Sequence, residues 1–373
     1  MLTSLEIKNF RTFSHLFIER LGRVNLILGK NKVGKTTLLE ALRLYASAWP
    51  PTTVMSILDE RDEIARLPNG DGILLLHSLF RGRDPEREDE ITIGEVGEQE
   101  GAFLATADFE MERPGQSDEA AAYSPVGRPR LKMTSGRLNC HVHPDGRWGY
   151  MIASGTQKWK VPEPPHEPPC LRSVGVQKKH EQTIADWWDA ISLTDAESRV
   201  VDAMRPVALL RGVRFVSDGR RDAGRKAIAR IEGFDEPMPL ATLGDGVVRM
   251  FQIAVGLEYA AVYAQRAREE NATLKNAPPL LLIDEVDAGI HHTLHVDLWR
   301  FIFRTARLLD VQVFATTHSW DCVKGFAEAI ADDDEADGLV VRLERDEDEV
   351  ATRAIVIDRK KLPIIARDAI EVR

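Results

Sequence analysis

Gly29-Lys30-Asn31-Lys32-Val33-Gly34-Lys35-Thr36-Thr37 is a complete Gly-x4-Gly-Lys-Thr phosphate loop. Its context is right as well as its letters. Val24-Asn25-Leu26-Ile27-Leu28 is a short apolar run that predicts a strand ending at Gly29, and a helix is expected to begin at Gly34. Gly29 and Gly34 permit backbone angles and close approach that a Cβ would block. The N–H groups running through Asn31, Lys32 and Val33 to Thr37 can therefore converge on a phosphate at a helix N-terminus. Lys35 is placed to reach the β- and γ-phosphates, and the Thr36 hydroxyl to bind Mg2+. The pattern predicts binding of a nucleoside triphosphate. The following stretch sets Leu38, Leu42 and Tyr45 on one helical face and is expected to end before Pro50-Pro51.

A chain of 373 residues has room for one large α/β domain or two medium ones, and 43% hydrophobic with 29% charged residues is a globular composition. The opening Met1-Leu2-Thr3-Ser4-Leu5-Glu6-Ile7-Lys8 alternates like a strand, unlike a signal peptide, and no apolar run is long enough for a membrane span. Cys140, Cys170 and Cys322 are far apart and make no Cys-x2-Cys pair, so neither a zinc site nor a disulfide framework is expected. These features together predict a cytoplasmic protein without a membrane partner. The net charge of −10 argues against bulk electrostatic coating by nucleic acid, although a local basic groove stays open.

Far downstream, Pro278-Pro279-Leu280-Leu281-Leu282-Ile283-Asp284-Glu285 reads as a turn, a fully buried strand and two acids at its C-terminal end, the pattern of a Walker B strand. A run this apolar suits a central parallel strand covered on both faces, where ligands bind beyond the carboxyl ends. Asp284 is then placed to hold Mg2+ through water, and Glu285 to polarise the attacking water. Residues 294–309 have helical spacing. Val311-Gln312-Val313-Phe314-Ala315 is a second strand, and Thr316-Thr317-His318-Ser319 ends it. This βαβ pattern predicts His318 on the same rim as Glu285 and Lys35, in reach of a γ-phosphate.

In this order the motifs resemble the ATP-binding-cassette ATPase heads of the SMC, RecF and overcoming-lysogenization-defect (OLD) group. Leu5-Glu6-Ile7-Lys8-Asn9-Phe10-Arg11-Thr12-Phe13 resembles their I-x-N-F-R-x-F opening, and Thr317-His318-Ser319 their switch histidine. The resemblance covers residues 1–48 and 238–325 and implies a P-loop NTPase of ABC-ATPase type. That fold has a mostly parallel central sheet, here with an antiparallel β subdomain and a short helical arm. Phe10 and Arg11 then either touch the nucleotide, as the first hairpin of such heads can, or serve edge-strand packing. Heads of this kind bind ATP with Mg2+ and dimerise on it, each nucleotide lying between one phosphate loop and a signature loop of the second subunit. Leu243-Gly244-Asp245-Gly246-Val247-Val248-Arg249, before an apolar helix at residues 250–263, resembles that signature. Gly244 replaces the serine of the family's Leu-Ser-x-Gly pattern, so Gly244, Asp245 and Gly246 would offer backbone N–H groups alone. Asp287 resembles the D-loop acid that crosses such dimer interfaces. His291, His292 and His295 include an i, i+4 pair, read as either interface or surface histidines or a metal pair without a carboxylate partner.

The middle of the chain departs from the resemblance. Strand-like runs at residues 90–93 and 102–107 and a Pro/Gly-rich stretch to Pro169 predict antiparallel β structure with long loops. A helical pattern runs from Gln182 through Trp187 and Trp188 to Met204, where an SMC protein would carry a long coiled coil, and a strand is expected at residues 212–216. The organisation expected is one head with a first lobe over residues 1–175, a helical arm and basic segment over 176–236, and a second lobe over 237–373. Arg128, Arg130, Lys132, Arg137, Lys178, Lys179, Arg220, Arg221, Arg225, Lys226 and Arg230 either track a DNA backbone from one face or are scattered surface.

The 55 residues after His318 read as a β-hairpin, residues 339–343 and 353–357, with a short tail, and leave no room for a fused nuclease. The resemblance then implies a stand-alone OLD-like ATPase with a separate TOPRIM-like nuclease or other effector, of the kind used in anti-phage defence. A RecF-like clamp acting directly on DNA and a nucleotide-gated scaffold with negligible turnover are the alternatives.

Overall fold

The structure is a computed structural model that describes residues 1–47, 50–66, 72–83, 90–97, 102–109, 129–135, 138–142, 148–152, 157–159, 168–171, 177–217, 225–270, 279–345 and 351–362. The first alternating stretch folds back on itself as an antiparallel pair, β1 (Leu5–Phe10) and β2 (Phe13–Ile18). β3 (Val24–Leu28), buried at every residue, runs into the phosphate loop, and α1 (Lys35–Tyr45) follows. The prolines beyond α1 do more than stop it. They open α2 (Pro50–Glu60), where the fixed proline φ suits a first turn and the missing N–H costs nothing.

A small hairpin, β4 (Ile64–Arg66) with β5 (Gly72–Leu74), precedes β6 (Ile91–Gly94), β7 (Phe103–Phe109), β8 (Pro129–Ser135), β9 (Leu138–Val142), β10 (Trp148–Ile152) and β11 (Gln157–Trp159). These last six continue the first hairpin into one eight-stranded antiparallel sheet, ordered β11-β10-β9-β8-β7-β6-β1-β2. The antiparallel subdomain expected from the middle of the chain is therefore hung on the N-terminal strands.

After β12 (Cys170–Leu171) come α3 (Gln177–Ile191) and α4 (Asp195–Ala208), then a three-stranded sheet of β13 (Leu210–Val216), β14 (Lys226–Ile231) and β15 (Met238–Pro239). The helical pattern expected from Gln182 to Met204 forms two helices, divided at Leu193, whose φ of 60° ends one, and at Thr194, whose hydroxyl caps the next by accepting the Ala196 N–H. Neither helix stands clear of the body. Both pack on α5 (Asp245–Glu270), with Trp187 stacked on Tyr259 at 5.2 Å and Trp188 against Phe251 at 5.4 Å. α5 is long and apolar enough to cross a membrane by length and composition, but 72% of its apolar window is buried inside the protein, as in a core helix.

β16 (Leu280–Ile283), α6 (His295–Leu308), β17 (Gln312–Thr316), α7 (Trp320–Asp332), β18 (Gly338–Arg345) and β19 (Thr352–Ile357) complete the chain. The central sheet is ordered β12-β16-β17-β3-β18-β19, parallel throughout except for the last pair. The expected C-terminal hairpin exists, yet its first strand also pairs with β3, so it extends the sheet that carries the phosphate loop.

Period-two alternation divides the sheet residues between two cores. Leu26, Leu281, Ile283, Val313 and Ala315 face the helices that follow the middle of the chain. Ile27, Leu280, Leu282, Phe314 and Val341 face α1, α2 and the antiparallel sheet. Covering both faces is why these strands read as continuous apolar runs. Each such Val, Leu, Ile or Phe side chain contributes about 1.5–3 kcal/mol by leaving water.

Candidate functional site

β3 ends where the loop begins, and the two glycines flagged by the sequence have steric reasons to be glycine. Gly29 has φ 148° and a Cβ there would lie 2.7 Å from the Leu343 carbonyl oxygen; Gly34 has φ 113° and a Cβ there would lie 2.7 Å from the Phe13 ring. Gly34 is the N-cap of α1 and brings no side chain to its first turn, which also holds no acidic residue. The first-turn N–H groups thus meet an anion without competition. Asn31 and Lys32 are exposed at the loop tip while Val33 is buried. Thr37 is buried, and Thr36 is half-buried.

Lys35 is buried, and its Nζ donates to the carbonyls of Gly29 at 2.7 Å and Lys30 at 3.1 Å. Burial lowers its pKa from the usual lysine value, against the opposing pull of Asp284 and Glu285. Those two carboxylates, with only β17 between their strand and β3, act electrostatically on the phosphate-loop lysine because β3 and β16 end at the same rim.

The tip of β16 is held backbone group by backbone group. The Asp284 N–H donates to the Leu171 carbonyl at 2.7 Å and the Val286 N–H to the Thr316 carbonyl at 2.9 Å. The Thr316 hydroxyl accepts the Glu285 N–H at 2.8 Å and donates to Asp284 Oδ1 at 2.7 Å. Glu285 itself sits at φ 49°, in the left-handed region. From the opposite side, Arg249 Nη2 donates to the carbonyls of Asp284 at 2.7 Å and Glu285 at 3.0 Å.

His318 follows β17 and is exposed at the mouth of a cleft of about 340 Å³, lined also by Gly29, Lys30, Asn31, Ser319 and Trp320. Burial first, and then the positive Lys35, lower the imidazole pKa below its usual value; Glu285, Asp287 and Asp284 pull the other way. Lys35, Asp284, Glu285 and His318 therefore share one electrostatic environment. Asp287, expected by resemblance to cross to a second subunit, has its Oδ1 bonded by the Thr317 hydroxyl of its own chain.

Gly244 and Asp245 are exposed at the start of α5, Gly244 with φ 95°. This loop packs on the segment after Glu285: a Cβ at Gly246 would lie 3.2 Å from the Gly289 carbonyl oxygen, and one at Gly289 2.9 Å from the Asp245 Cβ. The signature-like and D-loop-like segments thus meet within one chain.

The Arg11 guanidinium pairs with two acids, its Nε 3.0 Å from Glu40 of α1 and its Nη2 2.8 Å from Glu63, contacts of the packing kind. His291 is exposed and bonds Thr293 while His295 is buried, and among the described residues no three His, Cys, Asp or Glu side chains are grouped to hold a metal. Of the basic residues, Arg225 is bound by Asp189; Arg128, Arg137, Arg220 and Arg221, and the side chains of Arg130, Lys178 and Lys179, lie outside the described residues. Sequence reading missed Arg249 and Thr316 as contributors. Arg249 ends the signature-like stretch inside α5 and Thr316 closes a strand, and neither position tells from sequence which backbone groups its side chain will bind.

Residues 1–80 match the family described as AAA ATPase domain, and residues 167–321 match the family described as AAA domain, putative AbiEii toxin, Type IV TA system. A Helicobacter pylori protein described as an ATP/GTP phosphatase is 22% identical over 374 aligned positions, which cover 90% of each chain. The Bacillus mycoides DNA replication and repair protein RecF is 40% identical over 47 residues, 13% of this chain and 12% of that one. An uncharacterized protein of Methanocaldococcus jannaschii is 48% identical over 48 residues, 13% of this chain and 22% of that one. Those two alignments span less than a quarter of the relatives' length. Among solved structures, the SMC head bound to the C-winged helix domain of ScpA has 13% identity and a TM-score of 0.45, covering 96% of this chain and 99% of that chain. The Smc head with a coiled coil and joint from Pyrococcus yayanosii has 10% identity and a TM-score of 0.46, covering 99% of each. The two family matches fall on the phosphate-loop and Walker B segments, and support an ATPase of AAA/ABC type.

Proposed function

We propose that this chain hydrolyses ATP at a site completed by a second copy of itself, and that nucleotide-driven dimerisation controls a separate effector. The observation that carries the first half is the shared rim where Lys35, Asp284, Glu285 and His318 act on one another. The loop N–H groups bind the phosphates, and Lys35 exchanges the Gly29 and Lys30 carbonyls for phosphate oxygens. The Thr36 hydroxyl and the Asp284 carboxylate are hard oxygen donors suited to Mg2+, which when bound neutralises charge developing between the β- and γ-phosphates. Glu285 accepts the proton of the attacking water as its oxygen bonds to the γ-phosphorus, and the β–γ bridging oxygen leaves with the ADP. His318 contacts the γ-phosphate.

The exposed loop holding Gly244, Asp245 and Gly246 is the surface offered to the second subunit's nucleotide, with Asp287 behind it. An effector of the separate TOPRIM-nuclease kind, in prokaryotic DNA processing or phage defence, agrees with the OLD-like motif order of the sequence. Glu285→Gln should bind ATP, accumulate as a dimer and turn over little, measured by light scattering and phosphate release. Unimpaired hydrolysis by that variant would sink the assignment.

A further inference from the structure

Every backbone polar group from the Asp284 N–H to the Val286 N–H has a partner. The N–H groups are taken by the sheet, through Leu171, the Thr316 hydroxyl and the Thr316 carbonyl. The carbonyls of Asp284 and Glu285 both accept from Arg249, which is 4% exposed and reaches them from α5, and the Glu285 carbonyl also accepts the Ala288 N–H at 3.0 Å. These carbonyls flank the Glu285 Cα, whose φ of 49° a non-glycine residue keeps only when its surroundings hold it there.

We propose that Arg249 is a positioning residue for ATP hydrolysis. It holds the Glu285 backbone in the conformation that aims the carboxylate at the phosphate site, and ties that conformation to the signature-like loop, Gly244 to Gly246, three to five residues before it at the start of the same helix. The inference rests on the ATPase reading above. Both bonds leave the one Nη2, whose two N–H directions are fixed in the guanidinium plane; a lysine ammonium rotates about its last bond and fixes neither direction. Burial lowers the Arg249 pKa to about 10, still well above neutrality, so the group stays cationic beside Asp284, Asp287 and Glu285. The link runs in both directions: the loop carrying Asp245 and Gly246 also packs directly on Gly289, so a shift of the loop moves both the D-loop-like segment and the root of Arg249.

The test uses the full chain with Arg249→Ala and Arg249→Lys, each compared with the parent and with Glu285→Gln. The expected result is a fall in kcat of about 100-fold for Arg249→Ala, the scale of a misplaced catalytic group, with KM for ATP unchanged. Guanidinium ion at sub-denaturing concentration should restore part of that loss, and Arg249→Lys should fall between the two. Parental kcat in either folded variant, or a loss that guanidinium does not restore, overturns the inference. Where Arg249→Ala fails to fold, Arg249→Lys decides by the same split of kcat from KM. Glu285→Gln separates the two levels: if it hydrolyses ATP normally, the ATPase reading falls and takes this inference with it. If it is inactive while Arg249→Lys matches the parent, only the role of Arg249 falls.

Discussion

The Thr316 hydroxyl lies 2.7 Å from Asp284 Oδ1 and donates its proton to that carboxylate, which only accepts, while its oxygen accepts the Glu285 N–H. One fully buried side chain at the end of β17 thereby sets both acids at the end of β16. Thr316→Val keeps the shape and removes both bonds. It should cost about 1–3 kcal/mol by leaving the Glu285 N–H without its acceptor. Because Asp284 loses its orientation, the Mg2+ concentration needed for half-maximal turnover should also rise. Thr316→Ser should recover both; an unchanged Mg2+ requirement in the valine variant would contradict the arrangement.

Glu40 is fully buried between two arginines, with Arg11 Nε at 3.0 Å and Arg61 Nε at 2.7 Å. Glu40→Ala leaves the buried Arg11 charge short of an acid and should destabilise the fold by about 3–5 kcal/mol, read from urea unfolding. Arg11→Ala should also lose stability while the folded protein binds ATP with parental affinity. A large loss of affinity would instead restore the nucleotide contact that the family resemblance allows.

Burial pushes the Glu63 carboxyl up, but its bond and charge pairing with Arg11 outweigh this and leave its pKa below the ordinary 4.5. A carboxylate depressed in the fold contributes stability above its unfolded pKa and loses it as pH falls through the folded one. The acid limb of unfolding should therefore become shallower in Arg11→Ala. An identical limb would show that the pair contributes nothing.

His318 has linkage of the same sign, beginning at the imidazole's higher ordinary value. Its imidazole pKa is lowered below 6.5 by burial and by Lys35, so as pH falls below that value the unfolded chain takes up the proton first. Stability should decline from there down to the folded pKa and then level off, and His318→Asn should remove this component. Bound nucleotide phosphates should raise the imidazole pKa, since negative charge favours the cation. NMR titration of the ring with and without a non-hydrolysable ATP analogue reads both effects, and no upward shift would separate His318 from the phosphate site.

Gly34→Ala places a Cβ 2.7 Å from the Phe13 ring at φ 113°, whereas Gly82, at φ 74°, has nothing within 4 Å. Gly82→Ala carries backbone strain alone, about 1–2 kcal/mol. Gly34→Ala should cost more and weaken ATP binding as the loop shifts. Equal melting temperatures for the two variants would show that the Phe13 contact yields freely.

Much of the site was legible because its signals are local. Gly29 and Gly34 mark backbone shapes, and the apolar runs before Gly29, Asp284 and Thr316 mark strands buried on both faces, ending where ligands bind. The α/β class and the β16–α6–β17 unit follow from spacing alone. The proline pair at the start of α2 and the break at Leu193 were harder to place, since each depends on what its neighbours pack against.

What the sequence determined by itself was the chemistry each motif can perform, because phosphate-loop geometry is set within nine neighbouring residues. Tertiary structure alone decided which groups meet. Any fully apolar strand can sit beside any other, so only long-range pairing puts β17 between β3 and β16 and brings His318 and Thr316 between the lysine and the acids. The same pairing lays β18 along β3, turns Arg11 toward Glu40 and Glu63, and carries Arg249 to the carbonyls of Asp284 and Glu285. A long polar side chain takes the partner that burial leaves within reach, and that choice is made only once the cores on both faces of the sheet have closed.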